Sequence, residues 1–298
     1  MRFLNTLKRL LREKTVLTMF LLGVLYFIGV VAIVYPLVSN IQSLFTSDTA
    51  ISSYQQTVEE MPPAEIKERF EKAHNYNKGL SGNTVLSKDD STALNGDDGI
   101  VCYVEVPVVD IYLPVYYGTD EEVLKKGCGY LENTSLPVGG KSTHSVISAH
   151  TGLPTAEMFT RLDEVKKGDL FYIHVLNEKL TYRVDNINSV TPNAVEELYI
   201  TKGKDYVTLL TCTPYGINDK RLLVRGERVH DKAQDSKTDI EDKYTSLDDD
   251  KPKDSTDGLS EEIKRQITVV AAILSVAAVL YIIACILLGV TVRRIKKR

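Results

Sequence analysis

Two long apolar stretches, residues 16–38 and 267–292, carry no charged residue, and the apolar positions between them fall mostly in short alternating runs. At about 1.5 Å rise per residue, either stretch is long enough as a helix to cross a hydrocarbon core of ~30 Å. The apolar region of a secretory signal spans only about 7 to 15 residues, and no small-residue cleavage site follows residue 38, so the first stretch is read as a retained span. From 39 to 78 the period is helical: Ile41, Leu44 and Phe45, then Ala64, Ile66, Phe70 and Ala73, broken by Pro62 and Pro63. Two short amphipathic helices are expected there. Residues 79–98 are rich in Gly, Ser, Asn and Asp and read as a loop. Across 99–230 the texture changes to β-branched and aromatic runs such as VCYVEVP, DIYLPVYYG, THSVISAH, DLFYIHVL and DYVTLLTC, separated by turn signals. Seven or eight such strands with few helical crossovers predict a mainly β fold, a single closed or nearly closed barrel, with helical insertions at 121–126 and 156–165.

Charge completes the layout. Arg2, Lys8, Arg9, Arg12 and Lys14 lie in a basic tail, 1–15, and Arg293, Arg294, Lys296, Lys297 and Arg298 lie in another, 293–298. The positive-inside bias then sets both termini in the cytoplasm and everything between the spans outside the membrane. Residues 231–265 are dominated by Asp, Lys, Ser and Thr and read as an acidic disordered tether leading into the second span, 266–292. The formal charge is -4 overall, and the segment between the spans is more acidic than the chain as a whole because the basic clusters lie in the tails; it shows no basic stripe, so nucleic acid is not an expected partner. Neither P-loop, GxGxxG nor CxxC occurs, and the histidines are scattered; no cofactor and no metal site are expected.

Of the four cysteines, Cys285 falls inside the second span and reads as a small apolar residue. Cys102 and Cys128 could form a disulfide in an oxidising exterior. Cys212 has no evident partner, and an unpaired extracellular cysteine is a candidate nucleophile. VTLLTC ends at a turn containing Pro214 and Gly216; SVISAH ends at His150, before a second Gly-Pro turn. A thiol and an imidazole therefore stand at two strand ends. Arg221 opens the next run, RLLVRGERV; Arg221, Leu223 and Arg225 share one strand face, while Leu222 and Val224 face the core. His74, His144, His174 and His230 carry no such context and read as structural. A thiolate that attacks, an imidazole that protonates a leaving amine and a guanidinium that faces an oxyanion form a working set for acyl transfer at an amide. Thiols titrate near 8.5 and imidazoles near 6.5, so few molecules hold thiolate and imidazolium together; slow turnover is expected.

With these residues in view, the chain resembles the sortase family, specifically the class C, pilus-assembling sortases of Gram-positive bacteria. The likeness rests on TLLTCTPYGIN, Arg221 nine positions after Cys212, RLLVRGER, and THSVISAHTGLP preceded by LENTSLPVGGKSTH. It implies an eight-stranded sortase-type β-barrel with short helices, preceded by N-terminal helices and flanked by two transmembrane helices. It further implies cleavage of an LPxTG-type sorting signal between Thr and Gly through a thioacyl enzyme on Cys212. A lysine of the next pilin subunit would resolve that intermediate as an isopeptide bond. His150 would be the general acid and base, Arg221 would position the substrate and stabilise the oxyanion, Thr211 would contribute a hydroxyl to the same site, and Thr211 and Leu223 are the expected substrate-binding or supporting residues.

Two departures stand out. The class commonly carries a lid with an Asp-Pro-aromatic motif; here the corresponding loop reads SKDDSTALNGDDG, where Asp89 or Asp90 offers a carboxylate but neither is followed by proline and a ring. A weak lid, or none, over an accessible Cys212 is expected. Thr151 also stands where the class often has arginine. The alternatives are a sortase that anchors surface proteins to the cell-wall peptide and, more remotely, a membrane-held scaffold that binds extended peptide without catalysis.

Overall fold

A computed structural model describes residues 2–82, 88–96, 98–229 and 256–297, which fall into two compact units, Met1–Gln42 with Ser260–Arg298 and Ser43–Leu259. The first unit holds the two apolar stretches. Both are helical, in α1 (Arg2–Glu60) and α5 (Thr256–Lys297), and each carries a window apolar enough to cross a membrane. Within this unit the rings of Tyr26 and Tyr281 stack with centroids 5.7 Å apart, and the Tyr26 hydroxyl donates to the carbonyl of Ala277. Asn40 Nδ2 donates to Gln266 Oε1 at 3.1 Å. These are polar contacts between two otherwise apolar helices, where small and polar residues carry association.

The helix expected to begin afresh at residue 39 does not: α1 is continuous through to Glu60, and only the Pro62-Pro63 pair ends it. Pro63 then opens α2 (Pro63–Ser81), as its fixed φ and missing N–H suit a first helical turn. Ile66, Phe70, Ala73 and Tyr76 form the buried stripe of α2, and with Ile51, Tyr54 and Val58 of α1 they belong to one core shared with the barrel. Polar anchors fix both helices. Asn77 donates to the Leu136 carbonyl at 3.0 Å and accepts from its N–H at 2.7 Å, and the Tyr54 hydroxyl accepts from Leu176 N at 2.7 Å.

The barrel comprises β1 (Ile100–Val106), β2 (Ile111–Tyr117), β3 (Cys128–Tyr130), β4 (Thr143–Ser148), β5 (Leu170–Val175), β6 (Glu178–Val190), β7 (Asp205–Thr213) and β8 (Lys220–Arg228). It closes in the order β1-β2-β3-β4-β7-β8-β6-β5, with β5 returning to β1. Two pairings are parallel, β2 with β3 and β4 with β7; the others are antiparallel. The short helix α4 (Glu121–Lys126) fills the β2–β3 connection at the expected place, capped by the Asp120 carboxylate on Val123 N. The helix expected at 156–165 is absent. Ala156, Phe159, Leu162 and Val165 are all buried, but Met158 adopts φ 45° and only a single 3₁₀ turn, Leu162–Glu164, forms. A three-residue apolar repeat there mimics a helix.

Cys102 and Cys128 are buried free thiols. Both pair with Val115, one from each side, so they sit two strands apart. At ~4.8 Å per strand that is about 9–10 Å, beyond disulfide reach. Desolvation pushes both thiols well above their usual range.

The bland reading of three histidines is also explained. His74 stacks on Phe70. His174 Nε2 lies 2.7 Å from Glu105, and burial holds this imidazole below its ordinary range despite the carboxylate. Buried His144 makes two hydrogen bonds, Nδ1 at 3.1 Å from the Tyr199 carbonyl and Nε2 at 2.7 Å from the Thr208 hydroxyl. Desolvation lowers its pKa below the ordinary imidazole range and so favours the neutral ring. Since a carbonyl can only accept, Nδ1 carries the proton and Nε2 accepts from Thr208. His144 thereby holds the β6–β7 connection to the sheet. His230 lies outside the described residues, as does most of the tether expected at 231–265.

Candidate active site

Parallel pairing of β4 with β7 creates the site. It points both strands the same way, so their C-terminal ends reach the same rim of the barrel, and β8, antiparallel to β7, starts there. His150 follows β4, Cys212 is the penultimate residue of β7, and Arg221 is the second residue of β8. Cys212 and Arg221 are direct cross-strand partners. Opposed residues of an antiparallel pair project from the same face with Cβ atoms ~4.5–5.5 Å apart, which makes Cys212 and Arg221 side-chain neighbours without any loop. The last β4–β7 pair is Ser148 with Leu210; two residues further along each strand stand His150 and Cys212.

Each group is available for chemistry. Arg221 Nη1 donates to the carbonyls of Asn218 (3.3 Å) and Lys220 (3.0 Å), and no carboxylate pairs with it among the described residues. The guanidinium is thus aimed by main-chain acceptors, while Nε and Nη2 keep free donors. Cys212 and His150 are half-buried, with no side-chain hydrogen bond among the described residues. The hydrogen bond and ion pair with Lys125 (2.7 Å) hold the Glu121 carboxyl of α4 below its usual range.

The structure sets the two supporting residues on opposite faces. Thr211 alternates with Cys212 along β7, so its side chain leaves the opposite, inward face; it is 2% exposed and donates to the Ala149 carbonyl at 2.7 Å. Its hydroxyl is not on the reacting face. Leu223 does share a face with Arg221, but it is as buried as Leu222, paired with Leu210 and Asn188 just below the Cys212–Arg221 row. Leu210 and Leu223 form an apolar step next to the nucleophile. In the lid-equivalent segment, Asp89 and Asp90 belong to the single-turn helix α3 (Lys88–Ser91), and Asp90 forms no ion pair with Arg221. The segment after it is tied to α2, with Leu94 fully buried and Arg69 Nη1 donating to the Asn95 carbonyl at 3.1 Å.

Two features escaped the sequence reading. Gly152, at φ +78°, lets the ring of Tyr215 close over the turn after His150; a Cβ there would stand 3.0 Å from the ring. Thr151 Oγ1 lies 2.6 Å from Thr211 Oγ1, across the two site-bearing segments. Neither has a local signature, since both join residues about 60 positions apart.

A closed barrel that gathers a thiol, an imidazole and a guanidinium at one rim is suited to acyl transfer through cysteine. Comparison with known proteins agrees. Residues 104–229 match the sortase domain. Sortase A of Staphylococcus aureus (strain NCTC 8325 / PS 47) is 33% identical over 168 residues, which cover 53% of this chain and 80% of that protein. The chain spans 60% and 62% of the length of two further curated relatives, the Sortase A proteins of Streptococcus agalactiae and Bacillus anthracis. The crystal structure of Streptococcus pneumoniae Sortase C is similar at TM-score 0.58 and 48% identity, covering 61% of this chain and 97% of that one. Clostridium perfringens sortase C, solved with the C-terminal cell wall sorting motif, is similar at TM-score 0.58 and 45% identity, covering 62% and 100%. The chain belongs to the sortase family of cysteine transpeptidases, and its structural neighbours are class C members.

Proposed function

We propose that this sortase cleaves LPxTG-type sorting signals between Thr and Gly and joins pilin subunits through isopeptide bonds. The observation that carries the reading is the direct pairing of Cys212 with Arg221 beside the strand end that bears His150. The Cys212 thiolate attacks the threonine carbonyl, and the guanidinium meets the oxyanion as charge develops. Collapse breaks the C–N bond, His150 gives its proton to the departing glycine amine, and the threonine acyl group stays on sulfur. A lysine amine of the next subunit then attacks the thioester, His150 takes the proton, and the thiolate leaves. A thioester suits this exchange because an amine attacks it faster than it attacks an amide.

The apolar Leu210–Leu223 step supports binding of the leucine and proline of the motif beside the nucleophile. The C. perfringens enzyme was solved with its sorting motif, and the study of the S. pneumoniae enzyme addresses pilin substrate specificity. Two apolar helices with basic flanks support a membrane-embedded protein with both termini cytoplasmic and the barrel outside the cell.

Polymerisation and wall anchoring share the first half-reaction and differ only in the amine that resolves it. Full-length protein in detergent, given a sorting peptide together with equal amounts of a lysine-bearing pilin fragment and a cell-wall peptide, is expected to form mainly the pilin isopeptide. Exclusive transfer to the cell-wall peptide would replace pilus assembly by surface-protein anchoring.

A further inference from the structure

We propose that Thr151 is a positioning residue, which through Thr211 locks the histidine segment against the cysteine segment. The inference rests on the reading of Cys212 and His150 as the reacting pair and adds to it a means of holding them in register.

Hydrogen counting gives the direction of the link. Thr211 has one hydroxyl proton, and it is donated to the Ala149 carbonyl at 2.7 Å. The 2.6 Å contact between the two hydroxyls must therefore be made by the Thr151 proton on a Thr211 lone pair, and the 3.3 Å approach of Thr151 Oγ1 to the Phe159 carbonyl is a longer second option for the same proton. The result is a relay, Thr151 O–H to Thr211 O–H to Ala149 C=O, whose ends bracket His150 in sequence and whose middle is the residue before Cys212. Such chained hydroxyls polarise and strengthen one another, and Thr211 is buried, where the links are least screened.

The surroundings allow the link to set geometry. Ala149 N donates to the Leu210 carbonyl at 3.1 Å, and the His150 carbonyl accepts from Phe159 N at 3.0 Å. The main chain on either side of the imidazole is thus held, but β4 has ended and no further ladder bond joins residue 151 to β7. The hydroxyl pair supplies the missing cross-link one residue past the histidine. Both imidazole and thiol lack side-chain partners of their own among the described residues, so their relative placement depends on backbone anchors such as this one.

The test is single-turnover thioacyl formation and steady-state kinetics of the full-length protein in detergent with an LPxTG peptide, for Thr151→Val, Thr151→Ser, Thr211→Val and the double valine variant, with Cys212→Ala as control. Misplacement by a fraction of an ångström is expected to lower kcat about tenfold in Thr151→Val. KM should stay within about twofold because the proposed role is to place the reacting groups, not to hold the peptide. Thr151→Ser, which keeps the hydroxyl, should recover the native rate, and the double variant should be no slower than Thr211→Val alone. If the valine variant fails to fold, Thr151→Ala against Thr151→Ser gives the same contrast. A native kcat in Thr151→Val, a serine variant as slow as valine, or losses that multiply in the double variant would overturn the inference while the reading of the site stands. Thioacyl formation persisting in Cys212→Ala would overturn both.

Discussion

Arg221→Ala is expected to slow thioacyl formation by about 10²–10³-fold, the usual cost of removing a donor aimed at a developing oxyanion. The structure isolates this effect from folding. Among the described residues the side chain bonds only the main-chain carbonyls of Asn218 and Lys220 at a half-exposed strand end, so stability should fall by about 1 kcal/mol or less. Arg221→Lys separates charge from shape. An ammonium restores the point charge but not the fixed fork, and because Arg221 is aimed through Nη1, lysine should recover only part of the rate. An alanine variant within threefold of the native rate would remove the guanidinium from the mechanism.

Gly226→Ala should be strongly destabilising. Gly226 pairs with Val207 on one side and Val184 on the other, so backbone ladders hold it on both edges. An added Cβ would stand 2.4 Å from Phe171 Cε1, 2.7 Å from its Cζ and 3.0 Å from Tyr182 Cβ. Phe171 and Tyr182 are fully buried and stacked at 5.5 Å, so neither ring can swing into solvent. Overpacking of this kind costs about 3 kcal/mol, which for a domain of this size lowers the melting temperature by roughly 10 °C. Thermal unfolding measured by circular dichroism checks it; a loss below about 2 °C would show that the core yields more easily than its packing implies.

How much of this was legible in the sequence follows from the range over which each feature acts. Strand runs, the helical insertion at 121–126 and the turns after His150 and Cys212 are written within a few residues of one another. Arg221 could be paired with Cys212 because a hairpin brings close neighbours together. The parallel union of β4 with β7 could not be read, since it joins segments some 60 residues apart through a crossover that itself holds β5 and β6. With it went the Thr151–Thr211 link and the Tyr215–Gly152 contact. Leu223 could be set on the Arg221 face because alternation sets the face, but the burial of that face depends on strands supplied from elsewhere. Residues 156–165 misled by periodicity: four buried apolar side chains spaced by three can line a helix, or, as here, an irregular segment.

The central claim is that Cys212 carries the acyl group. Intact-mass spectrometry of the full-length protein in detergent, after incubation with an LPxTG peptide, tests it most directly. The expected result is a mass gain equal to the peptide without its glycine-bearing fragment, present in the native protein and absent in Cys212→Ala. No gain with any sorting-signal variant, or a gain that survives Cys212→Ala, would contradict the account.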